Sequence, residues 1–83
     1  MSYQDAGPYC MAEISLFPMA ADYAQTVKDF VEALAASGLD VTTSETSTIL
    51  RGRFDQVMPL LTRLMRDTLS SGGKKAIVLK MLN

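Results

Sequence analysis

An α+β sandwich, with four antiparallel strands in one sheet and two helices on one of its faces, is the fold class this sequence predicts. Three observations carry it. The chain has 83 residues, 48% of them hydrophobic and 20% charged, which suits one domain and leaves no room for a second. Two stretches repeat apolar side chains at helical spacing, and four shorter ones alternate them with the period of a strand. Their order is β-α-β-β-α-β.

Residues 1–9 read as an N-terminal arm closed by Gly7-Pro8, and residues 10–83 as the domain. From Tyr9 to Phe17 the chain alternates, with Ala12, Ile14 and Leu16 to one side and Glu13, Ser15 and Phe17 to the other. That is a half-buried strand. Pro18 has no N–H for a ladder and ends it. Asp22, with Gln25 three residues on, is a candidate helix cap. Tyr23, Val27, Phe30, Val31 and Leu34 then form one stripe of an amphipathic helix, with Lys28, Asp29 and Glu32 on the other side. Ser37-Gly38 stops it.

Leu39–Ser44 and Thr46–Arg51 alternate again and are rich in threonine and other β-branched residues, as strands favour. The short Ser44-Glu45 link suggests a hairpin, although it lacks an Asn-Gly turn signal. Asp55 is a candidate cap for a second helix whose inner stripe is Val57, Leu61, Leu64, Met65 and Thr68, with Pro59 in or just past the first turn. Residues 70–73 form a loop. Ala76–Leu82 is the last strand, with Lys80 outward and Ile77, Leu79 and Met81 toward the helices.

With right-handed crossovers this order leads to the ferredoxin-like sandwich, in which the first and third strands are central neighbours. Helices cover one sheet face only. The other carries Phe17, Ile49, Val78 and Leu82. An apolar open face in so small a domain predicts association, as a homo-oligomer with a dimer as the minimum and a tetramer as a pair of dimers.

Composition excludes several activities. Histidine is absent, which removes Ser-His-Asp and Cys-His catalysis and His-based zinc sites. The single cysteine, Cys10, cannot form an internal disulfide or a thiolate cluster. Eight Lys/Arg stand against nine Asp/Glu, with no basic stretch of the kind that tracks nucleic acid. No apolar run approaches the ~20 residues of a membrane span, and the first residues lack the pattern of a secretory signal. The expectation is a cytoplasmic protein that inserts in no membrane. Gly72-Gly73-Lys74-Lys75 follows a helix and precedes a strand, the reverse of a phosphate loop, and reads as a solvated turn. No cofactor, metal site or catalytic residue is expected, since Asp29 and Glu32 lie on a solvent-facing side and Asp22 is a cap.

Ser15, Ser47 and Thr48 stand apart. Their hydroxyls both donate and accept, which suits a neutral heterocycle, although ordinary strand positions explain them as well. No base is near to make any of them a nucleophile.

Two stretches, Ile14-Ser15-Leu16-Phe17-Pro18-Met19 and Ser47-Thr48-Ile49-Leu50-Arg51-Gly52, with Asp22 and Asp55 at matching distances, resemble the YkoF-type family of thiamine/hydroxymethylpyrimidine-binding proteins. That family is related to a broader group of small thiamine-binding domains. The likeness runs from about Cys10 to Leu69. It implies a ferredoxin-like domain that binds thiamine or its pyrimidine precursor without transforming it, serving uptake or salvage. Larger members carry two repeats and this chain has one, so two copies would assemble what the tandem form builds internally. By motif position, Ser15, Ser47 and Thr48 supply polar recognition and Phe17, Pro18 and Met19 shape the wall. Glu13, Asp22 or Glu45 would offset the thiazolium charge. The competing reading is a regulatory or scaffolding module of the same fold with no thiamine ligand. A small enzyme ranks last, because the carboxylates form no evident pair.

Overall fold

A computed structural model describes residues 6–19 and 23–83 of the 83-residue chain. The elements run β1 (Tyr9–Pro18), α1 (Tyr23–Ala35), β2 (Asp40–Thr43), β3 (Thr48–Arg53), α2 (Phe54–Ser70) and β4 (Lys75–Leu82). The four strands form one antiparallel sheet in the order β2-β3-β1-β4. This is the predicted ferredoxin-like sandwich, with β1 and β3 as central neighbours.

Alternation along β1 decides which face is buried. Cys10, Ala12, Ile14 and Leu16 are buried, and together with Leu50, Phe30 and Leu34 of α1, and Val57 and Leu61 of α2 they form the core. Burying one such large apolar side chain contributes about 1.5–3 kcal/mol. Ala12 is fully buried, where a small side chain lets the helices approach the sheet. The register places Ile77, Leu79 and Met81 beside Leu16, Ile14 and Ala12, on the helix side as expected. Gly38, at φ +84°, takes the left-handed turn that ends α1, and the Leu39 N–H bonds the Ser37 hydroxyl at 3.2 Å.

Two expectations are corrected in detail. Asp55 does not cap α2. The helix begins at Phe54, so Asp55 falls in its first turn, where its carboxylate still faces the positive end of the helix dipole. The free N–H groups are taken by backbone: Phe54 donates to the Pro8 carbonyl at 2.9 Å and Asp55 to the Ala6 carbonyl at 2.8 Å. Gln56 Oε1 in turn accepts from the Arg53 N–H at 3.1 Å. Residues 6–8 therefore close the helix end that the sequence assigned to a side chain.

The hairpin link is also longer than two residues. β2 stops at Thr43 and β3 starts at Thr48, because Ser44 organises a tight turn of its own. Its Oγ accepts from the N–H groups of Thr46 (3.4 Å) and Ser47 (3.3 Å), and its N–H reaches the Ser47 carbonyl at 2.9 Å. A serine hydroxyl bonding its own backbone in this way replaces the missing Asn-Gly signal.

The Gly72-Gly73 segment is a turn, as expected. Lys75 Nζ folds back onto the carbonyls of Ser71 and Gly72 at 2.8 Å and Gly73 at 3.2 Å. The ammonium thus ties together the backbone of the turn that follows α2.

Candidate functional site

The ladders on the two sides of β1 do not end together. Pairing with β3 stops at Ile14–Thr48, whereas pairing with β4 continues to Pro18–Lys75. Past Ile14, the hairpin link of residues 44–47 comes down beside β1 in place of a strand. Ser15 Oγ donates to the Thr46 carbonyl at 2.9 Å and holds the link there. A cleft of about 80 Å³ opens at this point, between the end of β1, the link and the Val27–Val31 face of α1.

Four of the seven sequence-predicted site residues line it: Ser15, Phe17, Ser47 and Thr48. Alternation sends Ser15 and Thr48 to opposite sheet faces, yet they are neighbours because Thr48 pairs with Ile14. Thr48 is 2% exposed and enters from the helix side. Phe17 lines the cleft and is 47% exposed. Ser47 Oγ donates to Glu13 Oε2 at 3.1 Å, and Glu13 pairs with Lys80 at 3.5 Å.

Pro18 and Met19 sit just beyond this cleft. Pro18 is buried at the last β1–β4 pair, and Met19 is exposed, its N–H bonded to the Lys74 carbonyl at 2.8 Å. Asp22, expected as cap and charge partner, lies outside the described residues. The reading from sequence missed Ser44 and Thr46 as lining, and counted Val27, Phe30 and Val31 as core alone although they form one wall. The signal for the first was present in the polar run Ser44-Glu45-Thr46-Ser47, where every side chain can hydrogen-bond.

Chemically, the cleft offers hydroxyl and carbonyl groups above an apolar floor. Ser15 and Ser47 each spend their proton on an internal acceptor and keep lone pairs for an incoming N–H donor. A wider, shallower groove of about 590 Å³ runs between α1 and α2, with Asp29 and Asp67 among its polar groups. It contains none of the predicted residues, and Asp29 already accepts from Gln25 at 2.7 Å. The smaller cleft is the better candidate because the two motif stretches meet there. Among the described residues, no group of three or more His, Cys, Asp or Glu side chains is placed to hold a metal ion. Nor is any helix there long and apolar enough to cross a membrane.

The family model for thiamine-binding proteins matches residues 12–81. The chain belongs to the thiamine-binding protein family. Every element of the sheet and both helices fall wholly or largely within that match. Solved structures share the fold. A Thermotoga maritima protein assigned to thiamine biosynthesis/salvage superposes with a TM-score of 0.79 at 17% identity, covering 89% of this chain and 82% of that one. A Bacillus cereus domain of unknown function gives 0.76 at 19% identity, covering 90% and 75%. A Streptococcus pneumoniae protein gives 0.83 at 14% identity, covering 92% and 87%. No curated protein sequence matches the chain. The lone pairs left on the Ser15 and Ser47 hydroxyls suit an N–H donor, such as the exocyclic amine of an aminopyrimidine.

Proposed function

We propose that this protein binds thiamine or its hydroxymethylpyrimidine precursor reversibly and without chemical change, acting as a cytoplasmic homo-oligomer in vitamin uptake or salvage. One observation carries the reading. The two stretches that resemble the YkoF-type family meet at a single cleft, walled by Ser15, Ser47, Thr48 and the ring of Phe17. The aminopyrimidine edge enters among the hydroxyls, and the exposed Phe17 face receives the cationic thiazolium. Pro18 and Met19 extend the wall.

At about 80 Å³ the cleft is far smaller than the roughly 300–1,000 Å³ that encloses a drug-sized ligand. A second copy completes it. The open sheet face supports this, since Phe17, Val78 and Leu82 are 47%, 57% and 51% exposed there. The same face also favours the alternative, an oligomerisation module with no thiamine ligand. Native mass spectrometry of gently purified protein separates the two. A dimer or tetramer carrying thiamine or the pyrimidine supports the proposal. An oligomer that stays empty when millimolar thiamine is added supports the alternative.

A further inference from the structure

The two edges of the sheet differ. β2 is four residues long and carries Asp40 and two threonines, whereas β4 runs eight residues and is apolar everywhere but Lys75 and Lys80. β4 pairs with β1 along its whole length in unbroken register, from Met11–Leu82 to Pro18–Lys75. One step further on, the Met19 N–H bonds the Lys74 carbonyl at 2.8 Å. In an antiparallel ladder, alternate residues turn both backbone groups to the same neighbour. Lys74, Ala76, Val78, Lys80 and Leu82 therefore face β1, while Ile77, Leu79 and Met81 turn their N–H and C=O groups outward. Among the described residues, nothing bonds those outward groups.

Proteins guard such an edge with a proline, a bulge or a charge held over the strand. β4 has no proline and no break in register, and both of its lysines are drawn away. Lys80 Nζ pairs with Glu13 on β1 at 3.5 Å, and Lys75 Nζ folds onto the carbonyls of the preceding turn. Val78, Met81 and Leu82 stay 57%, 38% and 51% exposed.

We infer that the free edge of β4 pairs antiparallel with β4 of a second copy, joining two four-stranded sheets into one continuous sheet. The strand is its own complement. A two-fold at Leu79 sets Ile77 opposite the partner's Met81, Val78 opposite the partner's Lys80 and Leu79 opposite the partner's Leu79, so outward groups meet outward groups. No lysine faces a lysine, and Lys80 brings its own counter-charge, so the contact buries no like-charged pair and no unpaired charge. Val78 and Leu82 of both copies then lie near the join, and the apolar open face runs on across it. The edge contact goes beyond the open-face association proposed above. The two contacts together build a tetramer as a pair of dimers, and neither depends on thiamine.

The test is backbone amide hydrogen exchange, read by NMR, of the full-length protein and its Met81→Pro variant, each sized by light scattering at the same concentration. Proline at position 81 removes an outward N–H and leaves the bonds to β1 in place. In the wild type, the amides of Ile77, Leu79 and Met81 should be protected to within roughly tenfold of those of Ala76, Val78 and Lys80. Met81→Pro should halve the particle with circular dichroism unchanged, and speed exchange at Ile77 and Leu79 by roughly a hundredfold. Ile49→Asp, which cuts the open-face contact, should leave a dimer whose outward amides stay protected. An oligomer whose outward amides exchange roughly a hundredfold faster than the inward ones overturns the edge pairing and leaves open-face association standing. So does a folded Met81→Pro variant that keeps the wild-type size. A monomeric wild type overturns both contacts. If Met81→Pro does not fold, the wild-type exchange pattern decides alone.

Discussion

Ser15 on β1 and Thr46 in the hairpin link are 31 residues apart in sequence, and the Ser15 hydroxyl donates to the Thr46 carbonyl at 2.9 Å. That one bond ties the link to the central strand where the β1–β3 ladder has ended, and so sets one wall of the cleft. Ser15→Ala should leave the fold intact, since an exposed hydrogen bond is worth about 0.5–1.5 kcal/mol. Thiamine affinity should fall by roughly three- to tenfold, because the ligand must then order the link itself. Urea denaturation checks the fold, and a thiamine titration beside hydrogen exchange at residues 44–47 checks the affinity and its cause.

Thr48 tests polar recognition from the helix side. Thr48→Val keeps the shape of a residue only 2% exposed but removes its hydroxyl. The unliganded domain should change by no more than about 1.5 kcal/mol, the net worth of one hydrogen bond. Binding should weaken by about 1–3 kcal/mol if the hydroxyl meets the pyrimidine, because the ligand's polar group is left without a partner. Titration of the variant beside its melting curve separates the two effects.

The fold was legible because each element announced itself locally. Strict alternation from Ala12 to Phe17 and the Val27–Leu34 stripe fix a strand and a helix that tertiary packing had no reason to override. What escaped depends on the meeting of distant segments. Nothing near Asp55 in the sequence says that carbonyls of Ala6 and Pro8 would reach the same helix end. The site divides in the same way. Ser15, Phe17, Ser47 and Thr48 were visible as hydroxyls and an aromatic ring in strands, but the cleft exists only because one ladder stops four residues before the other. That mismatch is a property of register, which single strands do not reveal.

Gly7 gives a stability prediction remote from the cleft. It stands at φ +86°, and a Cβ added there would lie 3.0 Å from Phe54 Cβ. Gly7→Ala should cost about 1–3 kcal/mol, through the left-handed backbone and the displaced helix end together. Gly72→Ala, where a Cβ would meet nothing within 4 Å, should be within about 0.5 kcal/mol of wild type. Equal denaturation midpoints for the two variants would contradict this account of the α2 terminus.

Association through the open sheet face is tested by Ile49→Asp. Ile49 pairs with Glu13 and Thr42 on the face away from the helices, so the substitution should leave the circular dichroism spectrum unchanged. Light scattering should show a smaller particle, because the new carboxylate would be buried without a partner at the interface. A wild-type particle of one 9.1 kDa chain at micromolar concentration would contradict the proposed assembly outright.

The most direct test of the central claim is a thiamine titration followed by backbone amide NMR of the full-length protein. The account predicts saturable shifts concentrated at residues 15–17 and 44–48, together with the Val27–Val31 face of α1. Saturable shifts confined instead to the groove between α1 and α2, around residues 67–73, would place the ligand elsewhere, and a spectrum unmoved by millimolar thiamine would contradict the binding function itself.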